Sequence, residues 1–186
     1  MGKTYTEINE KLRAFIEAQH CFFVASAPNG SGGHVNCSPK GVDSFRILGP
    51  TTVAYLDFVG SGVETIAHVR QNGRVVIMFC AFAGPPNIVR LHGQGEIVEP
   101  NDAAFAALIA HFTHLPGVRA IVRVELTRIA DSCGYGVPLL GYEGERTQMA
   151  TWAERKAEAG LLEAYQREKN AVSLDGLPGL RWTEEI

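Results

Sequence analysis

The sequence lacks the cysteine pattern and the long apolar segments that mark several classes of protein. Its four cysteines are widely spaced, with no Cys-x-x-Cys pair and no secretory leader before Cys21. A disulfide framework is therefore excluded, and we expect a reduced, cytoplasmic protein. No apolar run approaches the ~20 residues that a membrane helix needs. We expect no membrane partner.

An excess of positive charge is missing as well. The net charge is −3, so nothing indicates a surface that holds the phosphates of a nucleic acid. With 46% hydrophobic residues in a chain of 186, the sequence can bury a sizeable core without a metal or disulfides. We expect a single domain over residues 1–186, whose partners are a small-molecule substrate or a second copy of the chain.

Signatures of metal binding and of nucleophilic catalysis are also absent. His111 and His114 have a spacing seen in some metal sites, but no cysteine or carboxylate completes a set, so we predict no metal. Cys133, in the loop SCGYGVP, is either a nucleophile without a recognisable base or a small residue in a tight loop. No Ser/His/Asp constellation can be named. That is expected where a bound cofactor carries the chemistry.

The most informative stretch that is present runs from Thr52 to Phe82. It begins with a strand in which Val53, Tyr55 and Asp57 share one face. A glycine turn follows, and Ser61 with Glu64 forms a capping-box pattern that predicts a helix starting near Gly62 and stopping at Asn72-Gly73. The free amides of such a helix start, with the hydroxyl of Thr65, suit a phosphate. An ordinary capped helix is the alternative.

The rest of the chain predicts further short strands and a few helices. The predicted strands are Cys21–Ala27, His34–Ser38, Ser44–Leu48, Arg74–Phe82, Ile88–Val98 and Val118–Ile129. The predicted helices are one capped by Thr4 and Glu7 that ends near Gln19, one from Pro100 to about Thr113, and one over Glu145–Asn170 broken at Gly160. The tail Ser173–Ile186 has no regular pattern. Such strands favour an antiparallel barrel with helices outside. A doubly wound parallel sheet is less favoured, because its G-x-G-x-x-G fingerprint is absent.

Three segments carry a resemblance to a known family. They are HVNCSPKG (His34 to Gly41), the strand and helix from Val53 to Phe79, and IVRLHGQGEIV (Ile88 to Val98). Through them the chain resembles the pyridoxamine 5'-phosphate oxidase-like, FMN-binding split-barrel family. The resemblance implies a β-rich α+β fold, a six-stranded antiparallel split β-barrel with peripheral helices, here with a helical C-terminal extension from about residue 145.

The resemblance also implies a cofactor site. In this family FMN lies between the two subunits of a homodimer. The residues then expected at the cofactor are Ser38, Lys40, Tyr55, Asp57, Ser61, Gly62, Thr65 and Arg90. Lys40 and Ser38 would lie near the flavin and its phosphate, Tyr55 to Asp57 along the ring or ribityl chain, and the turn Gly60 to Thr65 around the phosphate. For Arg90, a ligand phosphate and a structural carboxylate are both open as partners. Residues Arg119 to Tyr142 are candidates for contacts across the dimer.

The functional hypothesis is an FMN-dependent oxidoreductase of unknown substrate. The alternative is a non-catalytic binder of a flavin, a deazaflavin or haem, for which His34, His68 and His92 are candidate haem residues. Authentic pyridoxamine phosphate oxidases carry an Arg-Lys pair at the start of the helix, where this chain has Ser61 and Gly62. Their C-terminal arginine motif is not found in LPGLRWTEEI either. The resemblance is therefore to the family and not to that enzyme.

Overall fold

The computed structural model describes residues 2–183 and is built around one antiparallel sheet. Its strands are β1 Thr4–Tyr5, β2 Phe22–Ser26, β3 Asn36–Lys40, β4 Phe45–Ile47, β5 Thr52–Phe58, β6 Arg74–Cys80, β7 Ile88–Val98 and β8 Val118–Ser132. The helices are α1 Glu10–Glu17, α2 Glu64–Asn72, α3 Phe105–Ile109, α4 Gln148–Glu158 and α5 Leu162–Asn170, followed by a 3-10 helix at Arg181–Thr183.

The sheet curls into a split barrel. Its strand order is β3-β2-β6-β7-β8-β5-β4, and β1 pairs with β8. Aromatic contacts connect the two ends of this strand order. The ring centroid of Phe45 on β4 lies 5.3 Å from that of Phe22 on β2 and 5.0 Å from that of Phe79 on β6. The antiparallel split-barrel prediction is confirmed. The number of strands differs, since eight and not six are present in the described residues. Strand β4 corresponds to the strand predicted over Ser44–Leu48, whereas β1, with two residues, is too short to show an alternation.

The alternation predicted for β5 is confirmed. Val53 and Tyr55 belong to the larger core cluster, which they share with β2, β6, β7 and β8. Ala54 and Leu56 point the other way, into a smaller cluster beneath α3. Because side chains alternate along a strand, Asp57 lies on the Tyr55 side. An ionisable residue is thereby placed inside the barrel.

The helix at the N-terminus starts later than predicted. Asn9 caps α1, with its Oδ1 accepting a 3.0 Å hydrogen bond from the Leu12 amide. The capping box proposed for Thr4 and Glu7 is wrong, because Thr4 pairs with Ala130 as part of β1. Because this segment is part of the sheet, Thr4 does not lie at the start of a helix.

The capping box proposed for Ser61 and Glu64 is also wrong. Helix α2 begins at Glu64, with Val63 at its N-cap and no side-chain cap. The carboxylate of Glu64 accepts instead from the backbone N–H of Leu174, at 3.3 Å. A contact 110 residues away in sequence has replaced the local one.

The C-terminal part follows the prediction with small differences. The charged helix is broken at Gly160, where φ is +65°, into α4 and α5. Helix α3 is shorter than predicted and β8 is longer. The tail predicted to be irregular contains a bridge between Val172 and Pro178 and the 3-10 helix, while residues 184–186 of it lie outside the described residues. None of the described helices is long and apolar enough to cross a bilayer.

Candidate functional site

Three polar side chains form a row on one face of β3. Asn36, Ser38 and Lys40 are half-buried, whereas Cys37 and Pro39 between them are exposed, as the two-residue period of a strand requires. We call these three residues the polar row. Asn36 Nδ2 donates to Ser38 Oγ at 3.2 Å and to Thr65 Oγ1 on α2 at 2.9 Å. The row therefore connects the edge strand with the first turn of α2.

The polar row ends at a buried carboxylate. Asp57 is 1% exposed, and its Oδ1 accepts from Lys40 Nζ at 3.1 Å while its Oδ2 accepts from Arg119 Nε at 2.7 Å. We call Lys40, Asp57 and Arg119 the ionic cluster. Arg119 reaches Asp57 because the β5–β8 register shifts there: Asp57 pairs with Ala120 and Phe58 with Val118, which leaves Arg119 as the extra residue of a bulge.

The charges of the cluster set the protonation of its neighbours. Burial raises the pKa of the Asp57 carboxyl, but the charges and hydrogen bonds of Arg119 and Lys40 outweigh it and hold that pKa below its usual value. Asp57 is therefore ionised at neutral pH. Burial raises the pKa of Tyr55 well above its usual value, and the Asp57 charge adds to this effect. The Tyr55 phenol is neutral and can donate a hydrogen bond.

Two donors at the cluster lack a partner. The hydroxyl of Tyr55 and Nη1 of Arg119 are buried and have no hydrogen-bond partner among the described residues. Leaving such an atom unpaired typically costs about 1–3 kcal/mol. Tyr55 is 0% exposed and packs in the larger core cluster, so its hydroxyl lies deeper than the half-buried Lys40. The hydrogen bonds of the polar row and the ionic cluster bring together the predicted residues Ser38, Lys40, Asp57 and Thr65. Tyr55 lies close enough to Asp57 for the carboxylate charge to act on its phenol.

The turn predicted to surround a phosphate contacts the C-terminal segment. Ser61 is exposed, and the carboxylate of Glu64 lies so close to Gly62 that a side chain at this glycine would collide with it. Asn170 Nδ2 donates to the carbonyl of Gly60 at 2.9 Å. The C-terminal segment therefore packs on this turn, and Glu64 adds negative charge at it. Of the turn residues only Thr65 joins the polar row.

Arg90 is placed elsewhere by its described contact. Its Nη1 donates to Ser132 Oγ at 3.0 Å and connects β7 with the end of β8. That partner is a hydroxyl and not the structural carboxylate that was considered for Arg90. A role of Arg90 toward a cofactor stays a prediction.

Two of the candidate haem histidines are engaged by protein atoms. His68 is fully buried, with Nδ1 3.0 Å from Ser26 Oγ and Nε2 4.0 Å from Asp175 Oδ2. His34 is exposed and its Nδ1 lies 2.6 Å from the other oxygen of Asp175. Burial lowers the pKa of His68, although Asp175 and Glu64 oppose the shift. Within residues 2–183 no group of His, Cys, Asp and Glu is arranged to hold a metal.

Sequence reasoning missed Asn36 and the position of Arg119. Asn36 had a signal, because it lies two residues before Ser38 and four before Lys40 on the same strand face. Arg119 had none. Its contact with Asp57 depends on a bulge in the pairing of two strands that are about 60 residues apart in the chain.

The curled sheet and the polar row define a split-barrel protein with a polar site beside an edge strand. The sequence pattern of the family described as Pyridoxamine 5'-phosphate oxidase matches residues 8–133. A pyridoxamine 5'-phosphate oxidase family protein of Aspergillus flavus, ustO, is 40% identical over 192 residues, which cover 95% of this chain and 77% of the relative. The chain belongs to the pyridoxamine 5'-phosphate oxidase family.

Solved structures share the fold at low identity. HupZ of Group A Streptococcus matches with a TM-score of 0.51 and 22% identity, over 66% of this chain and 91% of that one. The FAD binding protein of Mycobacterium smegmatis matches with a TM-score of 0.51 and 15% identity, over 70% of this chain and 97% of that one. At such identities the likeness establishes the architecture alone.

Proposed function

We propose that the protein is an FMN-dependent oxidoreductase that acts on a small-molecule substrate. The observation that carries the proposal is the ionic cluster, whose Tyr55 and Arg119 donors are buried and unpartnered among the described residues, next to the polar row. Membership of the pyridoxamine 5'-phosphate oxidase family supports a flavin, as does the likeness to a FAD binding protein. When bound, FMN supplies reversible hydride chemistry.

The residues of this chain would bind and orient the cofactor. Lys40, 19% exposed in its side chain, is the cation of the polar row and would neutralise the phosphate, with the hydroxyls of Ser38 and Thr65 as hydrogen-bond partners. Asp57 holds the Lys40 ammonium in place through the 3.1 Å contact. Tyr55 would border the flavin ring with a neutral phenol. Glu64 lowers the affinity for an anion at the neighbouring turn.

Titration with FMN tests the cofactor. We expect a shifted flavin absorbance spectrum and a rise in the melting temperature as FMN is added. Lys40→Gln removes a charge-assisted hydrogen bond, so the Kd for FMN should rise about tenfold or more. Lys11→Gln, at an exposed position of α1, is the matched control and should leave the Kd unchanged. Colourless protein whose spectrum and melting temperature ignore excess FMN would contradict the proposal.

We also propose a homodimer that completes the site. The loop after β8 exposes large apolar side chains, with Tyr135 83%, Leu139 76% and Leu140 56% exposed, and such patches support association. Most of the range Arg119–Tyr142 considered for crossing contacts belongs to β8, which is already paired with β5 and β7. The candidate contacts therefore narrow to the loop of residues 133–142.

Light scattering on dilute protein tests the dimer. The expected mass is that of two chains, and Leu139→Glu should lower it toward one chain. Leu161→Glu, at another exposed leucine, should leave the mass unchanged. A wild-type monomer that still binds FMN would rule out a shared site.

A second candidate function is passive binding of a flavin, a deazaflavin or haem. The Glu64 carboxylate beside Gly62 favours it, because a negative charge at the turn works against tight retention of a phosphorylated cofactor. A spectral screen with FMN, a deazaflavin and haem distinguishes the ligands. Repeated reduction of bound flavin by a nicotinamide cofactor and reoxidation over many turnovers would argue against a passive binder.

A further inference from the structure

A cavity lies between the C-terminal end of α1 and the turn that joins β3 to β4. Its volume is about 490 Å³, within the range of small-molecule sites. None of the residues that line it belongs to the polar row or the ionic cluster. The cavity therefore shares no residue with the proposed flavin site, although Gly41 in its lining directly follows Lys40.

The floor of the cavity is aromatic. Phe22 and Phe79 are 3% and 1% exposed, and their ring centroids are 5.6 Å apart. Phe45 packs on both of them. Ile16 of α1 adds an aliphatic wall. Such a floor accepts an apolar or aromatic body chiefly through Phe45, which is half-buried, while Phe22 and Phe79 lie behind it.

Most of the charges at the rim are already paired. Arg13 Nη1 lies 3.1 Å from Glu17, and Arg46 Nη1 lies 2.8 Å from Asp43. Both arginines thus have a carboxylate partner on their own segment. Neither is available as a site for an anion without losing an ion pair.

Glu145 is the acid at the rim whose hydrogen-bond partners carry no charge. Its Oε2 accepts from the Val42 backbone N–H at 3.1 Å, and its Oε1 accepts from the Tyr142 hydroxyl at 2.9 Å. Both donors are neutral, so these bonds orient the carboxylate and leave its charge uncompensated. The lining carries two arginines against three acids, and the surplus negative charge is at Glu145.

The backbone around Glu145 is held in an unusual conformation. Val42 and Asp43 both have φ of 53°, which is costly for a β-branched residue such as valine. This turn presents the Val42 amide to Glu145. On the opposite side the Tyr142 ring stacks on His20 at the end of α1, with centroids 3.6 Å apart and planes 6° from parallel. Residues 142–145 therefore span from α1 to the β3–β4 turn.

We propose that this cavity binds a small organic ammonium compound with an aromatic or aliphatic body. The ammonium group pairs with the Glu145 carboxylate, which is oriented by Val42 and Tyr142. The body of the ligand covers the floor formed by Phe22, Phe45 and Phe79. The cavity should select its ligand by charge as well as by shape. A carboxylate compound of equal size fits the same floor but is repelled by the negative charge of Glu145.

Binding of matched probes to the full chain tests the site. Calorimetry and ligand-observed NMR would compare 2-phenylethylammonium with 2-phenylethanol and phenylacetate, in the presence and absence of saturating FMN. The ammonium compound should bind best, the alcohol about fivefold more weakly and the acid more weakly still. Glu145→Gln should weaken the ammonium compound about fivefold. The exposed neighbour Glu143→Gln, which does not line the cavity, is the control.

The proposal is overturned by any of four results. These are no binding of 2-phenylethylammonium at millimolar concentration, equal binding of phenylacetate, equal effects of the Glu145 and Glu143 substitutions, and displacement of the ammonium compound by FMN. A failure of FMN to bind would overturn only the proposed flavin function. The two proposals can therefore fail separately.

Discussion

Two buried acids in this protein both pair with basic side chains, but they differ in how completely the hydrogen-bond donors around them are partnered. Asp57 inside the barrel is 1% exposed, and Glu99, which follows β7, is 3% exposed. Each carboxylate contacts two basic side chains, Lys40 and Arg119 for Asp57 and Arg70 and Arg181 for Glu99. Burial and ion pairing alone would not tell the two apart.

The surroundings of Glu99 are complete. Its Oε1 accepts from Arg70 Nη2 at 2.7 Å, and its two oxygens accept from the Arg181 backbone N–H at 3.1 and 3.2 Å. Arg70 also donates to the carbonyl of Gly179, and Arg181 to Asp102. These bonds fasten the C-terminal segment to α2 and to the end of β7. The group around Glu99 is a structural clamp.

The surroundings of Asp57 are incomplete. Of the four buried side-chain N and O atoms without a partner in the described residues, two are the Tyr55 hydroxyl and Arg119 Nη1. Native structures leave few such atoms unpaired, and each one requires an explanation. The difference indicates two roles for buried ion pairs. One whose neighbouring N–H and O–H donors lack hydrogen-bond partners is a candidate ligand site, whereas one whose donors are all partnered stabilises the fold.

Removing the acid from the barrel should have the largest effect. Asp57→Asn leaves the buried cation of Arg119 without its carboxylate, and we expect a loss of about 3–5 kcal/mol in the free energy of unfolding. Denaturant unfolding measures it. Glu96→Gln is the control, because Glu96 and Arg123 form an ion pair that is 55% and 40% exposed, and exposed pairs contribute less than about 1 kcal/mol. Equal effects of the two substitutions would show that the ionic cluster is solvated.

Removing the acid from the clamp should have a smaller and more local effect. In Glu99→Gln the Arg181 side chain, 54% exposed, can turn to water, so we expect a loss of about 1–3 kcal/mol. Hydrogen exchange should quicken in residues 170–183, while β5 keeps its protection. If protection is lost equally in β5 and in the C-terminal segment, the two acids belong to one cooperative unit and do not differ in role.

Removing the unpartnered hydroxyl of Tyr55 should stabilise the protein, whereas the two substitutions above destabilise it. Tyr55→Phe removes a buried hydroxyl that has no partner among the described residues, and without ligand we expect a gain of about 1 kcal/mol in stability. The FMN Kd should rise in the same variant. Thermal and denaturant unfolding, each with and without FMN, separate the two effects. A loss of stability would mean that the hydroxyl already has a partner, such as an ordered water.

The sequence predicts much of the barrel because its signals are local. The alternation in β5 placed Val53 and Tyr55 on one face and Ala54 and Leu56 on the other, and both sets are found in the expected clusters. The bounds of β7 match those predicted from IVRLHGQGEIV. The break at Gly160 is likewise local, since glycine is the residue that adopts positive φ at low cost.

The parts that could not be predicted depend on distant residues. Glu64 has the right spacing for a capping box with Ser61, yet it bonds Leu174, and nothing near either residue signals this. Arg119 acquires its place from a bulge. The polar row was predicted in part, through Ser38 and Lys40, because these residues lie in a segment that resembles the family.

Mild acid should destabilise the protein through its histidines before it affects the ionic cluster. Burial lowers the folded-state pKa of His68 below the usual 6.5, so the unfolded chain binds more protons as the pH falls through 6.5, and stability present above that pH is lost. The folded-state pKa of Asp57 is lowered below 3.8, so its contribution is lost only below that pH. Between pH 6.5 and 5 the protein should therefore lose stability through histidine and not through the ionic cluster.

The part of the slope that His68 contributes in this window should stay below the about 1.4 kcal/mol per pH unit of one full proton, because Asp175 and Glu64 face His68 and oppose its shift. His92, whose pKa is also lowered by burial and by Arg128 and Arg90, adds a slope of the same sign. Denaturant unfolding at several pH values should show a smaller slope for His68→Gln than for wild type. The exposed His114→Gln is the control. An unchanged slope in His68→Gln would mean that this histidine is solvated and does not contribute to the loss of stability in mild acid.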